Sequence, residues 1–339
     1  MDTPFPNFPL AELHAHLGAS IHPAVYWKIA HSQGFKLDQK DYHEFRDYIR
    51  LSINGKMPLD KYFKEIYHPL LDRLSSGTHA VEEAAHEIIG GAYRSSNITL
   101  IELRTNPMKH NHNGTVDLDH IIMAILRGME KALLEYPKLS AGIIFCLARE
   151  FSYEQNEIIV EKAIKYRRRG VIGIDVAGPI TKGFHYRDYA KLFLKAHRTG
   201  LKVTVHAGEV RDQNDMWEAL QYVKPNRIGH GIHAATDKAL MKELVKRQTV
   251  LEICPLSNIV TEAVENIDEL KMHLRTLIEN KVLFTINTDW PEMIERAHLK
   301  RQFQFLVNEG IMSEEEIKKC NKIAFASSFI KGTGLDAYL

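Results

Sequence analysis

A handful of side chains in this sequence are of the types that do metal and proton chemistry, and each closes a short apolar run. His14 and His16 stand two apart in "AELHAHL" (11–17), and His206 and Glu209 end "KVTVHAGE" (202–209). His230 lies in "RIGHG" (227–231), and Asp289 ends "VLFTINTD" (282–289). Side chains alternate along a strand, so His14 and His16 can point to one place. Three imidazoles and a carboxylate, His14, His16, His206 and Asp289, suit zinc, with one position left for water; iron and manganese stay open. Zinc bound in this way lowers the pKa of that water from about 15.7 towards about 7 and so arms it at neutral pH. Glu209 and His230 are then the neighbouring acid–base groups. A lone buried histidine is ordinarily a hydrogen-bonded core residue. Packing gives no reason, however, for separate runs to end in mutually compatible ligands.

Something has to bring these ends together. The runs above belong to a series of eight, completed by "ITLIELRTN" (98–106), "AGIIFCLA" (141–148), "VIGIDVAG" (171–178) and "TVLEICPLS" (249–257). Several are apolar on both faces, as parallel strands buried on both sides must be. Amphipathic stretches separate them. "SYEQNEIIVEKAIKYRRR" and "YRDYAKLFLKAHRTG" are the clearest, and "TDKALMKELVKRQ" opens with Thr236 as an expected N-cap. Strand and helix alternating in this way predict an α/β fold, a (β/α)8 TIM barrel, as a single domain over 1–339. A doubly wound open sheet is the alternative, but it favours a Gly-rich phosphate loop after the first strand, and "HLGASIHP" is not one. The first connection (18–97) is long and carries at least three helical patterns, which makes it a lid-like insertion at the mouth. Two more helical patterns follow the eighth strand, the last starting at Ser313.

Bulk composition excludes other classes. The chain has 339 residues, 45% hydrophobic and 26% charged, with a net charge of +1. Its one basic run, "KYRRRG", suits an exposed helix end, so no nucleic-acid partner is expected. No apolar run approaches the ~20 residues of a membrane span, and "MDTPFPNF" lacks the layout of a secretory signal. Three scattered cysteines without a CxxC pair point to a reducing, cytoplasmic setting, with Cys254 a structural buried thiol.

Taken together, "AELHAHL", "IELRTNP", "GIDVAG", "VTVHAGE", "RIGHGIH", "CPLSN" and "NTDWP" occur in the order and spacing of the adenosine deaminase family, part of the amidohydrolase superfamily. The resemblance runs from about residue 9 to 330. It implies that His14, His16, His206 and Asp289 hold one catalytic zinc. On the same resemblance, Glu209 is a protonated donor to purine N1, and His230 orients the nucleophile derived from bound water. Gly178 offers its backbone N–H to purine N3. The implied reaction is hydrolytic deamination at purine C6 of adenosine or a close relative, releasing ammonia. Strand four ends "GIDVAGP" with no lysine to bridge two metals, so one metal is expected.

Two positions depart from the family pattern. Gly18 stands where an aspartate usually accepts a hydrogen bond from the ribose 5′-hydroxyl, and Trp290 stands where a second aspartate usually meets purine N7. The chemistry therefore looks intact while substrate recognition looks rewritten. Gly18 is expected to free space at the 5′ end, and Trp290 either stacks on a base or packs away from the pocket. Adenine nucleotides, cyclic nucleotides and 5′-thio nucleosides thus join adenosine as expected substrates. Free adenine or another aminated ring is the alternative within the same chemistry, and a non-catalytic binding protein the alternative outside it. The family also places an apolar covering helix at 55–76, where Tyr62, Phe63 and Ile66 fit either a substrate-covering face or core packing.

Overall fold

The computed structural model describes residues 8–52, 59–111, 114–179, 183–210, 212–295 and 297–330; the first residues of the 55–76 segment and the start of "MDTPFPNF" lie outside these. Eight strands pair in chain order: β1 (Leu10–His16), β2 (Ile98–Thr105), β3 (Ser140–Ala148), β4 (Val171–Ala177), β5 (Lys202–Ala207), β6 (Arg227–His230), β7 (Val250–Ile253) and β8 (Phe284–Ile286). All are parallel, and helices lie between them, giving a (β/α)8 barrel. The last seam joins β1 to the segment just after β8. There His16 N–H donates to Asp289 O (3.1 Å) and Asp289 N–H to His14 O (2.7 Å). The same backbone pairing sets three of the expected metal ligands side by side.

β1 carries an irregularity that the alternation rule does not foresee. Glu12 pairs with Ile101 but Ala15 with Leu103, so β1 holds one extra residue against β2, a bulge. Before it, Ala11 and Leu13 pack with Leu100, Ala324 and Phe325 in the floor of the barrel. After it, His14 and His16 face the lumen. Unbroken alternation would have sent one of these pairs outward. The backbone N–H groups of His14 and Thr288 are taken up by the buried Glu12 carboxylate (2.9 and 3.1 Å), as buried donors require.

The floor is closed by the C-terminal helix Glu314–Ser327, which starts at Ser313 in a capping box with Glu316. Its Asn321 accepts from Ala11 N–H (3.1 Å) and donates to Pro9 O (2.9 Å). The helix Lys238–Arg247 is capped by Asp237 rather than Thr236, because the aspartate oxygen reaches both Ala239 N–H and Leu240 N–H. Thr236 instead ends the preceding 3-10 turn.

Among the described residues, four longer helical segments lie between β1 and β2: Pro23–Ser32, Tyr42–Ile49, a stretch made of Leu59–Tyr62, Phe63–Leu71 and Asp72–Leu74, and Thr78–Ser96. The second adds to the three expected. It is eight residues long and buries only Phe45 and Ile49, too little periodicity to stand out. Phe63–Leu71 is wound as a π-helix around Pro69, whose ring cannot sit in an ordinary α-turn, and Asp72 N–H donates back to Tyr67 O. This widened turn stands at the barrel mouth.

Candidate active site

The C-terminal ends of the strands deliver the chemistry. His14 and His16 come from β1, His206 from β5, and Asp289 from the loop after β8; one donor atom from each lies within 4.8 Å of all the others. His16 Nε2 is 3.1 Å from His206 Nε2, and Asp289 Oδ1 is 3.3 Å from His16 Nε2 and 3.4 Å from His14 Nε2. Donor atoms about 2.05 Å from one ion at tetrahedral angles stand about 3.3 Å apart. The spacing therefore fits a zinc-sized cation. His14 Nε2 and Asp289 Oδ1 are also buried without a hydrogen-bond partner, a costly arrangement unless a cation completes it. Gly229 leaves room for this cluster, since a Cβ there would stand 2.8 Å from His14 Cε1.

Beneath the ligands lies a charged layer. Glu252 accepts from His14 Nδ1 (2.8 Å), and Asp175 from His206 Nδ1 (3.0 Å). Each carboxylate fixes its imidazole with Nε2 free for a metal and makes that nitrogen a stronger donor. Arg104 joins the two, with Nη1 on Asp175 (2.7 Å) and Nη2 on Glu252 (2.6 Å) and on Leu13 O (2.7 Å). Arg227 adds a second guanidinium to Glu252 (2.6 Å) and a bond to Glu102 (2.5 Å). Burial opposes ionisation of both Glu252 and Asp175. For Glu252 the neighbouring Arg104 and Arg227 outweigh it, and for Asp175 His206 and Arg104 do, so each stays below its ordinary range.

Asp289 is held in turn by Ser257, whose Oγ donates to Oδ2 (2.6 Å), leaving Oδ1 toward the histidines. His230 Nε2 lies 3.9 Å from Asp289 Oδ2 and 3.7 Å from Glu209 Oε2. Asn258 Nδ2 donates to His230 Nδ1 (3.1 Å), so the ring carries its proton on Nε2, toward the metal ligands. Burial pushes the His230 pKa down to about 4. At neutral pH it is an uncharged hydrogen-bond donor. His230 and Asp289 both adopt positive φ, 58° and 62°. That conformation costs on the order of 1–3 kcal/mol in a non-glycine residue and marks a site held under constraint.

A cavity of about 980 Å3 opens above the cluster, at the large end of the range for sites that take compact organic ligands. Glu209, His230, Gly178, Gly18 and Trp290 all line it. Gly178 has φ 99°, and its carbonyl accepts from Arg149 Nη1 (2.6 Å). The structure thus gathers every sequence-predicted residue at one mouth. It does not leave free space at Gly18. The hydroxyl of Tyr67, from the π-wound turn, stands over that glycine. Trp290 is packed and also forms cavity wall, stacked on Tyr67 (5.7 Å, 24°) and edge-on to Phe63 (5.2 Å). Of the covering-helix residues, Phe63 faces the cavity, while Tyr62 and Ile66 are core. Sequence reasoning missed Arg104, Asp175, Glu252, Ser257, Asn258 and Tyr67. The first three carried a signal, being charges inside apolar strands; Tyr67 had none.

The model of the family described as adenosine deaminase matches residues 9–336. The chain belongs to the adenosine deaminase family. Similar relatives include an adenine deaminase of Wolinella succinogenes, 28% identical over 96% of this chain and 93% of that protein. Another is an adenosine deaminase of Shewanella denitrificans, 27% identical over 96% and 95%. Among solved structures, an amidohydrolase from Burkholderia ambifaria with bound Zn has a similar fold, with a TM-score of 0.83 and 18% identity over 98% of this chain and 88% of that one. This chain is a metal-dependent aminohydrolase whose reaction is hydrolytic deamination of adenine-type compounds. Among the described residues no helix is long and apolar enough to cross a membrane.

Proposed function

We propose that the protein deaminates purine C6 of adenosine, or of a closely related adenine nucleoside or nucleotide, with one zinc ion held by His14, His16, His206 and Asp289. The observation that carries this reading is the convergence of those four donors within 4.8 Å, with Glu209 and His230 facing each other 3.7 Å apart at the edge of the cluster. When bound, zinc supplies a water-derived nucleophile at neutral pH and polarises the reacting centre.

The chain's own residues do the rest. Glu209 reaches into the cavity from the loop after β5, placed to give a proton to ring N1 as C6 becomes tetrahedral. His230 donates Nε2–H where negative charge develops and, being neutral, does not repel the cation. Gly178 brings backbone to the base edge across the cavity, with Arg149 holding its carbonyl. Phe63 and Trp290 wall the mouth and exclude water from the reacting centre.

Ammonia release measured against adenosine, adenine, AMP, cyclic AMP and methylthioadenosine tests the reading; no turnover of any adenine compound sinks it. Chelation is expected to abolish activity well below the concentration that unfolds the protein. Simultaneous loss of fold and activity would make the metal a structural staple instead.

A further inference from the structure

Gly18 is a glycine for a reason that its own backbone does not supply. It lies in the helical turn Leu17–Ser20, outside the left-handed region, where any residue fits. Its carbonyl accepts from the Tyr26 hydroxyl (2.8 Å), which holds the turn from below. Among the described residues, what stands in the way of a side chain is Tyr67 alone. A Cβ on residue 18 would overlap the Tyr67 hydroxyl oxygen and lie 3.3 Å from Cζ. The ring is fixed by its stack on Trp290 and by Phe63 edge-on at 5.4 Å. Among the described residues the Tyr67 hydroxyl has no hydrogen-bond partner, and it lines the cavity beside His16 and Gly18. Burial pushes the phenol well above its ordinary pKa, so the group is a neutral O–H that can both donate and accept.

A purine placed with C6 over the metal ligands has N9 at its opposite end, directed to the mouth. The cavity is large enough to hold a substituent there as well as the base. Of the four cationic side chains at the wall, Lys64 is exposed, Arg104 is bonded to Asp175 and Glu252, and the other two are engaged as well. Lys109 pairs with Glu150 (2.6 Å), and Arg149 is bonded to Gly178 O and His206 O (2.6 and 2.5 Å). A neutral hydroxyl set in an aromatic wall matches a neutral hydroxyl better than a phosphate. The geometry points to Tyr67 as the specificity-determining residue of this site, its hydroxyl bonding the 5′-hydroxyl of an N9-linked ribose, with Gly18 present to admit it. This assignment rests on the deaminase reading above and selects the nucleoside within it.

The test compares the zinc-loaded wild type and Tyr67→Phe on adenosine and 5′-deoxyadenosine, with free adenine as the truncated substrate. Loss of one neutral hydrogen bond is expected to lower kcat/KM for adenosine roughly 5- to 10-fold, through KM, and to leave 5′-deoxyadenosine and adenine within about twofold. Gly18→Ala displaces the same hydroxyl. It is expected to reproduce the loss, to lower Tm, and to add nothing to activity loss in the double variant, where Tm recovers. Equal losses on all three substrates, or additive losses in the double variant, overturn the assignment. Wild-type turnover of adenine alone or of AMP alone also overturns it and leaves the deaminase reading standing. No turnover of any adenine compound overturns both.

Discussion

Replacing Arg104 with methionine removes the guanidinium that joins Asp175 and Glu252 while keeping an unbranched side chain of comparable reach. Arg104 is fully buried, with bonds of 2.7 Å and 2.6 Å to the two carboxylates. Glu252 keeps Arg227 as a partner; Asp175 keeps His206, the Val176 N–H (2.7 Å) and the Cys146 thiol, but loses its one guanidinium. Breaking a buried ion pair from one side costs roughly 3–5 kcal/mol. Unfolding entropy of about 2.1 cal/mol/K per residue over 339 residues converts this to a Tm lowered by about 4–7 °C. The carboxylates orient two of the ligand imidazoles, so zinc affinity should also fall, by about 10- to 100-fold. The pH dependence has a definite sign. Both carboxylates sit below their ordinary range in the folded protein, so they stabilise it at neutral pH, and that contribution is lost only as pH falls through the folded-state values. Without Arg104 those values rise, and acid unfolding should begin at a higher pH. Competition with a chromophoric chelator, thermal unfolding and acid titration measure the three effects. A methionine variant with wild-type zinc affinity and an unchanged Tm would refute the reasoning.

Further outcomes follow from the same geometry. Glu209→Gln should retain its zinc and lower kcat by about 10²- to 10⁴-fold, the usual worth of a positioned proton donor; loss of metal would instead show that Glu209 helps hold the cluster. Ser257→Ala removes the 2.6 Å bond to Asp289 and should weaken zinc binding by about 10-fold or more, read by equilibrium dialysis. His230, with its pKa near 4, should contribute no acid limb around pH 6.5 to kcat/KM. An inflection there that vanished in His230→Gln would contradict its assignment as a neutral donor. Below pH 6.5 the unfolded chain takes up a proton that folded His230 refuses, so this residue should make stability fall as pH drops from about 6.5 to about 4.

The sequence by itself determined the ligand types and the strand runs that carry them. Both of these are local: a strand buried on both faces must be apolar throughout, so a histidine or aspartate ending such a run stands out. Every one of the eight runs coincides with a strand to within a few residues, and the expected ligands meet at one mouth. Three features were decided only by the tertiary structure. The extra residue in β1 lets Leu13 and His14 both serve the barrel interior, and it is visible only against the register of β2. The charges of Arg104, Asp175 and Glu252 were legible as oddities in apolar strands, yet their pairing joins β2, β4 and β7 across the lumen. Tyr67 met Gly18 because a π-wound turn carried its hydroxyl over a residue about fifty positions earlier. Strand patterns follow from which faces each residue buries, a property of neighbours in sequence. Pair distances between elements follow from how barrel and insertion pack, and no local pattern encodes them.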